Sequence, residues 1–284
     1  MPELPEVECV VRELAGLITG RRVDRVFVRL PKIVPTGPRR LRRLLSGVLV
    51  LGVARRGKQI VISLSGGRYL VVHLKMTGRF LWSEGPKDLP RHVHASILFK
   101  DGGRLLYQDV RQFGYLLGFE EAEFKAWQQA QGVGPDPFMI SADEFVERLR
   151  ARKGRIKPLL LNQRFLGGLG NIYADETLFA AGIHPLAPAD ALTEKAATRL
   201  LREMKTILTE AIRCGGSTVS DYLTPSGRRG SYQNRHRVYG RAGEPCPVCA
   251  AQIERMVVGG RGTYFCPVCQ PANPRRASQL RHRR

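Results

Sequence analysis

Six cysteines punctuate the chain, and four of them are paired. Cys246-Pro247-Val248-Cys249 and Cys266-Pro267-Val268-Cys269 are separated by sixteen residues. Each C-x-x-C turns two thiolates toward one point, and two such pairs make a tetrahedral four-thiolate set for one Zn2+. Four soft ligands close the coordination sphere, so the zinc is expected to be structural and not catalytic. The residues between the pairs suit a hairpin carrying Arg255, Arg261 and Tyr264, and a segment this short depends on its metal for folding. Cys9 and Cys214 stand alone and read as small buried hydrophobes.

Charge narrows the partner. Lys and Arg number 46 against 25 Asp and Glu, a formal net charge of +21. Such an excess favours a polyanion, because each neutralised phosphate releases condensed counterions. No long basic amphipathic helix supports a membrane surface instead. Glu3, Glu6 and Glu8 precede any apolar run, the wrong sign for a signal peptide. No stretch approaches the roughly 18 apolar residues of a membrane span. The expectation is a cytoplasmic, nucleoid-associated protein with no membrane partner.

The elements that must position these groups follow from periodicity. Val7, Val10, Val11, Leu14 and Leu17 recur at helical spacing over Pro5–Ile18, with Pro5 in the first turn and Gly20 as the stop. Alternation at Val26, Val28 and Leu30 begins a strand-rich region. It continues over Val48–Ala54, Gln59–Leu64, Tyr69–Leu74, His94–Phe99, Arg104–Gln108 and Tyr115–Phe119. Gly66-Gly67 and Asp101-Gly102-Gly103 read as hairpin turns, and short strands so spaced imply an all-β sandwich or barrel. Gly132 to Pro137 is turn-rich and reads as a linker. Beyond it, Ser141-Ala142-Asp143-Glu144 is a capping-box pattern, and Asn171–Ala181 and Thr193–Arg213 are helical runs ending at Gly182 and Gly215. The tail holds Arg275, Arg276, Arg281, Arg283 and Arg284 with no acid, and is expected to be disordered and phosphate-seeking.

Met1-Pro2-Glu3-Leu4-Pro5-Glu6-Val7-Glu8 resembles the N-terminal signature of the formamidopyrimidine-DNA glycosylases. The likeness continues through Arg56-Gly57-Lys58, His73-Leu74-Lys75-Met76-Thr77-Gly78, Asp109-Val110-Arg111-Gln112-Phe113-Gly114 and Gly168-Leu169-Gly170-Asn171-Ile172-Tyr173-Ala174. It ends at Val238-Tyr239-Gly240-Arg241 and the cysteine pairs. The resemblance implies an α+β fold: an N-terminal β-sandwich catalytic domain with a flanking helix (1–131), a linker (132–137), a helix-two-turns-helix domain (138–225), a recognition loop and four-cysteine zinc ribbon (226–270), and the basic tail (271–284). It implies a monomer acting on double-stranded DNA that contains an oxidised base.

The resemblance also assigns roles. Catalysis falls to Pro2, Glu3, Lys58 and Arg261. With Met1 removed, Pro2 exposes a secondary α-amine, which titrates near about 8 against about 10.4 for lysine and so is more available as a nucleophile. Glu3, which otherwise reads as a helix-start carboxylate, would move protons at the sugar. Lys58, on spacing alone a solvated turn lysine, would protonate a leaving group or pair with a phosphate. A base inside the stack must be flipped out, and Met76, Arg111 and Phe113 match the family's wedge. His73, Lys157 and Arg261 match phosphate-contacting positions, and Asn171 and Tyr239 complete the expected DNA contacts. His92, His94 and His184 read as packing residues.

The sequence also departs from the family pattern. Gln112 stands where a second Arg is common, Cys9 where Thr is common, and Lys75 where Gly is common. The run Val219–Tyr232 corresponds to a variable lesion-recognition loop. Two other readings stay open: an endonuclease VIII-like enzyme for oxidised pyrimidines, and a non-catalytic zinc-ribbon nucleic-acid binder.

Overall fold

The computed structural model describes residues 1–85, 89–219 and 221–272. Helix α1 (Leu4–Ile18) begins with Pro5 in its first turn and a capping box between Glu3 and Glu6. The Glu3 N–H donates to Glu6 Oε2 at 2.8 Å, satisfying a donor that the helix cannot use. Val7, Val10, Val11, Leu14 and Ile18 form its buried face.

Strand β1 (Val23–Val28), helix α2 (Pro38–Leu45) and strands β2 (Val50–Arg56), β3 (Gln59–Leu64), β4 (Arg68–His73), β5 (Gly78–Glu84), β6 (Val93–Phe99), β7 (Gly103–Asp109) and β8 (Tyr115–Glu120) follow. They form two antiparallel four-stranded sheets, ordered β1-β6-β7-β5 and β2-β3-β4-β8. Phe80, Ile97, Leu105 and Tyr107 from the first sheet and Ile60, Ile62, Leu70, Val72 and Leu116 from the second share one core with α1 and α2. This is the expected sandwich with its flanking helix. The outer face of β4 and β8 is also apolar. Val71 and Phe119 are covered by Phe124 and Trp127 of helix α3 (Glu121–Gln131), and Tyr69 stacks on Phe124 at 4.1 Å.

Several elements went unread in the sequence, helices α2 and α3 and strand β5 among them. Helix α2 has only three core leucines, Leu41, Leu44 and Leu45, among four arginines, too short a run to show a period. Strand β5 follows the Met76–Gly78 turn directly, with Phe80 its one fully buried apolar side chain.

Helices α4 (Ala142–Arg150), α5 (Ile156–Leu161), α6 (Asn171–Ala180) and α7 (Glu194–Arg213) come next, then the hairpin β9 (Glu254–Val258) and β10 (Arg261–Phe265). Ser141 caps α4, its hydroxyl accepting the Glu144 N–H at 3.1 Å. Helix α6 is buried on all sides from Ile172 to Phe179, including Asp175, Glu176 and Thr177.

The chain divides into two compact units: Met1–Gly132 with Ala211–Gln233, and Val133–Glu210 with Asn234–Arg284. The first boundary falls between Gly132 and Val133. Residues 211–225, grouped by sequence with the helical domain, sit in the first unit because their loop bonds to α1 at Glu6. The basic tail lies outside the described residues from 273 onward. No helix among the described residues is long and apolar enough to cross a membrane.

Candidate functional site

Pro2 and Glu3 are buried at the start of α1. Lys58 occupies the turn between β2 and β3, two strands that pack on α1. Gly57 adopts φ +57°, which lets the turn tighten, and Lys58 is only 8% exposed. Arg55 braces this arrangement. Its Nε donates to Glu8 Oε2 at 2.8 Å and its Nη1 to the Gly57 carbonyl at 3.3 Å, so one guanidinium ties the turn to the helix. Burial raises the Glu8 pKa, but Arg12 and Arg55 more than offset this and hold it below the usual carboxylate range.

His73 ends β4, opposite Gln59 on β3 and Tyr115 on β8. Burial, helped by the charges of Lys75 and Lys58, pushes its pKa down to about 3. The Lys75 N–H donates to His73 Nδ1 at 3.0 Å. The ring is therefore neutral at physiological pH with its proton on Nε2, a hydrogen-bond donor toward an anion without a charge of its own.

Glu6 joins this start to the 211–233 segment. Besides the Glu3 N–H, its carboxylate accepts the Ser217 N–H at 2.7 Å, and its carbonyl accepts the Tyr222 hydroxyl at 3.2 Å. Gly216, at φ +84°, leaves no room for a side chain: a Cβ there would lie 2.8 Å from Glu6 Oε1. The expected lesion loop is thus anchored on α1, the helix that follows Pro2 and Glu3. Ser220, within it, lies outside the described residues.

The expected wedge residues sit on two turns. Met76 is 39% exposed and Phe113 is 56% exposed, with the Arg111 guanidinium 4.9 Å over the Phe113 ring. Packing leaves these side chains facing solvent, as an inserting group requires. Lys75 and Gln112, the two departures in these turns, both take positive φ, +53° and +57°.

In the second unit, Lys157, Asn171 and the β9–β10 hairpin form one buried network. Lys157 has no exposed surface, and its ammonium pairs with Asp175 Oδ1 at 2.6 Å and donates to Thr263 Oγ1 at 2.8 Å. Asn171 Nδ2 and Lys157 Nζ both donate to the Gly262 carbonyl, at 2.9 and 3.2 Å. The Tyr264 N–H donates to Asp175 Oδ2 at 3.0 Å. Burial pushes the Asp175 carboxyl up to about 7, against the pull of Lys157 and the Tyr264 N–H. Lys157 and Asn171, expected as DNA contacts, each also donate to the hairpin here. Arg261, the first residue of β10, is exposed at the end of the strand they hold. Tyr239 packs edge-on against Tyr264 at 5.2 Å, and its N–H donates to Glu176 Oε1 at 2.8 Å.

The four paired cysteines converge. Their sulfurs lie within 4.8 Å of one another, with Cys246–Cys269 at 3.8 Å and Cys249–Cys266 at 3.4 Å. A tetrahedron with Zn–S bonds of about 2.3 Å has edges of about 3.8 Å, so the donor set fits one zinc. It offers no open position, as a structural site requires.

Three family models cover the chain in order. The formamidopyrimidine-DNA glycosylase N-terminal domain matches residues 1–116, the formamidopyrimidine-DNA glycosylase H2TH domain residues 133–222, and a zinc finger found in FPG and IleRS residues 243–272. A formamidopyrimidine-DNA glycosylase of Bacillus licheniformis is 44% identical over 274 residues, which is 95% of this chain and 99% of that protein. The chain belongs to the formamidopyrimidine-DNA glycosylase family. A family member from Solibacter usitatus is 46% identical over 271 residues, again 95% and 99% of the two chains. The Lactococcus lactis Fpg, solved in complex with DNA containing an abasic site, superposes with a TM-score of 0.89 at 37% identity over 95% of this chain and 99% of that one. The same enzyme with DNA containing N7-benzyl-Fapy-dG gives 0.88 at 37% identity, over 95% and 100%. Membership favours the oxidised-purine reading over the endonuclease VIII-like and non-catalytic ones.

Several polar groups of this glycosylase went unread in its sequence. Gln163 clamps the turns between α5 and α6, accepting the Gly168 N–H at 2.9 Å and donating to the Leu169 carbonyl at 2.8 Å. Glu176 accepts the N–H groups of Arg237, Val238 and Tyr239 at 2.8–3.1 Å. The available signal was Asp175-Glu176 inside an otherwise apolar, small-residue helix, where acids survive only with partners.

Proposed function

We propose that this chain removes oxidised purines from duplex DNA and then cuts the strand, with the Pro2 amine as nucleophile. The observation that carries the reading is the placement of Pro2 and Glu3, buried at the start of α1, with Lys58 held on the adjoining β2–β3 turn by Arg55. After Met1 is removed, the amine attacks the sugar C1′. The bond from C1′ to the damaged base breaks, and the base leaves with a proton. The C1′–O4′ bond then opens, O4′ taking a proton from Glu3, and the resulting iminium on a secondary amine has no N–H to lose, so it stays cationic and draws electrons from the sugar. Loss of a C2′ proton expels the 3′ phosphate, and loss of a C4′ proton then expels the 5′ phosphate. Glu3 moves protons at the sugar, and Lys58 meets a phosphate or leaving group. His73 donates to the backbone, and Arg261 meets a phosphate from the zinc ribbon. Lys157 and Asn171 serve through the hairpin that presents Arg261. The zinc supplies folding energy to the ribbon and takes no part in a step. The protein acts as a monomer, in the cytoplasm at the nucleoid.

Two Lactococcus lactis Fpg complexes, one on an abasic site and one on a benzylated Fapy-dG, support this substrate class. The test is borohydride trapping on a duplex with one 8-oxoguanine, using native protein and a version with an extra residue before Pro2. A covalent adduct with the native N-terminus alone is expected. Tight binding without an adduct would leave a non-catalytic binder.

A further inference from the structure

The residues that face solvent for duplex opening come from two separate turns, and one buried carboxylate holds both. Asp109, at the end of β7, has no exposed surface. Its Oδ1 accepts the Thr77 hydroxyl at 2.5 Å, in the turn that carries Met76. Its Oδ2 accepts the Gly114 N–H at 2.8 Å, in the turn that carries Arg111 and Phe113. Thr77 closes the bridge, its Oγ1 also accepting the Arg111 N–H at 3.0 Å. The backbone of Asp109 is fixed as well: its N–H donates to the His92 carbonyl at 3.1 Å, and its carbonyl meets His94 Nε2 at 2.9 Å.

The glycines around the carboxylate show how closely the turns approach it. A Cβ on Gly114 would lie 1.8 Å from the Tyr107 hydroxyl and 3.1 Å from Asp109 Oδ2. A Cβ on Gly78 would lie 2.4 Å from the Leu74 carbonyl and 2.6 Å from the same hydroxyl. Neither position admits a side chain, so both turns sit directly on the Asp109–Tyr107 layer.

We infer that Asp109 is a positioning residue that joins the Met76 turn and the Arg111–Phe113 turn into a single rigid wedge. The inference rests on the proposed reading that this chain opens duplex DNA at a lesion. Inserted side chains are pressed by neighbouring bases that regain their stacking when the wedge yields. Two free loops would yield separately. Loops bonded to one buried carboxylate yield only together, and breaking either bond leaves a buried oxygen without its partner. His92 and His94, which read as packing residues in the sequence, act here as the backbone brace of that acceptor.

Two variants test this. Asp109→Asn keeps the shape but turns one of the two acceptors into a donor, so the Thr77 hydroxyl, which already accepts the Arg111 N–H, can no longer donate to it while Gly114 stays held. Thr77→Val cuts the Met76 turn and the Arg111 N–H while sparing the carboxylate and Gly114. Excision is compared on a fully paired duplex with one 8-oxoguanine and on the same strand with the lesion in an unpaired bubble. On the paired duplex, each variant should lose about 10- to 100-fold in single-turnover rate, the size of one hydrogen bond to a charged group. On the bubble, where no stack has to be held open, the rate should return to near wild type. A 2-aminopurine beside the lesion should brighten less with the variants than with wild type. Equal loss on both substrates, or no loss on the paired duplex, would overturn the inference; if Asp109→Asn does not fold, Thr77→Val decides alone. Borohydride trapping by wild type separates the two levels. No adduct with wild type removes the glycosylase reading itself, whereas normal trapping with unaffected variants removes only the wedge role.

Discussion

Replacing Lys157 by Met tests whether the buried network, and not the hairpin's own pairing, holds the zinc ribbon in register. Most groups that Lys157 touches have a second partner: the Gly262 carbonyl keeps Asn171 Nδ2 at 2.9 Å, and Thr263 Oγ1 still donates to the Arg261 carbonyl at 3.1 Å. Asp175 is different, because Oδ2 keeps the Tyr264 N–H while Oδ1 loses its ammonium in a site with no solvent. Breaking one side of a buried pair costs about 3–5 kcal/mol. Asp175→Asn should cost a similar amount from the other side. The double variant Lys157→Met with Asp175→Leu leaves no buried charge, so it should recover at least half of the single-variant loss, the orphaned Tyr264 N–H accounting for about 1–3 kcal/mol. Trp82 and Trp127 both lie in the first unit, so tryptophan fluorescence does not watch this region. Urea titration followed by zinc release to a chromogenic chelator does. A single-variant cost below about 1 kcal/mol, or a double variant as unstable as the singles combined, would refute the reasoning.

Three further outcomes are expected. The folded His73 pKa of about 3 lies below its ordinary 6.5, so the unfolded chain takes up the proton first as pH falls; stability drops from pH 6.5 toward 3, and in thermal melts across that range His73→Gln should show a shallower decline. An identical slope in both proteins would remove His73 as a source of acid sensitivity. Arg55→Met removes a buried guanidinium from Glu8 and from the Gly57 carbonyl; it should cost about 1.5–3 kcal/mol and slow single-turnover excision, and unchanged rates would mean the Lys58 turn needs no brace. Stripping the metal with chelator and denaturant should release one zinc per chain and weaken DNA binding in gel shift, because Arg261 rides on the ribbon's hairpin; full affinity without zinc would take the ribbon off the binding surface.

Wherever a residue's role followed from its neighbours in the chain, the sequence was enough. The four-cysteine set is legible because two C-x-x-C pairs define a ligand geometry locally, and α1 because its apolar spacing, Pro5 and Gly20 lie within a few turns. Seven strands of the sandwich are legible because alternation and hairpin glycines are short-range signals. Met76, Arg111 and Phe113, proposed as the wedge, were named through the ordered set of motifs, as were Pro2, Glu3 and Lys58, proposed for catalysis.

What only tertiary structure decided is which polar groups hold the protein together and which remain for DNA. Lys157 and Asn171 read as DNA contacts, and only the fold shows that each also donates to the Gly262 carbonyl, 105 and 91 residues away. Asp109 read as one letter of a motif, and its partner Thr77 lies 32 residues back. Arg55 and Gln163 carried no local signal of their own, and Glu176 only its place in an otherwise apolar helix. The reason is desolvation: a charge taken out of water must find its partners inside, and those partners are set by the fold and not by neighbours in the chain.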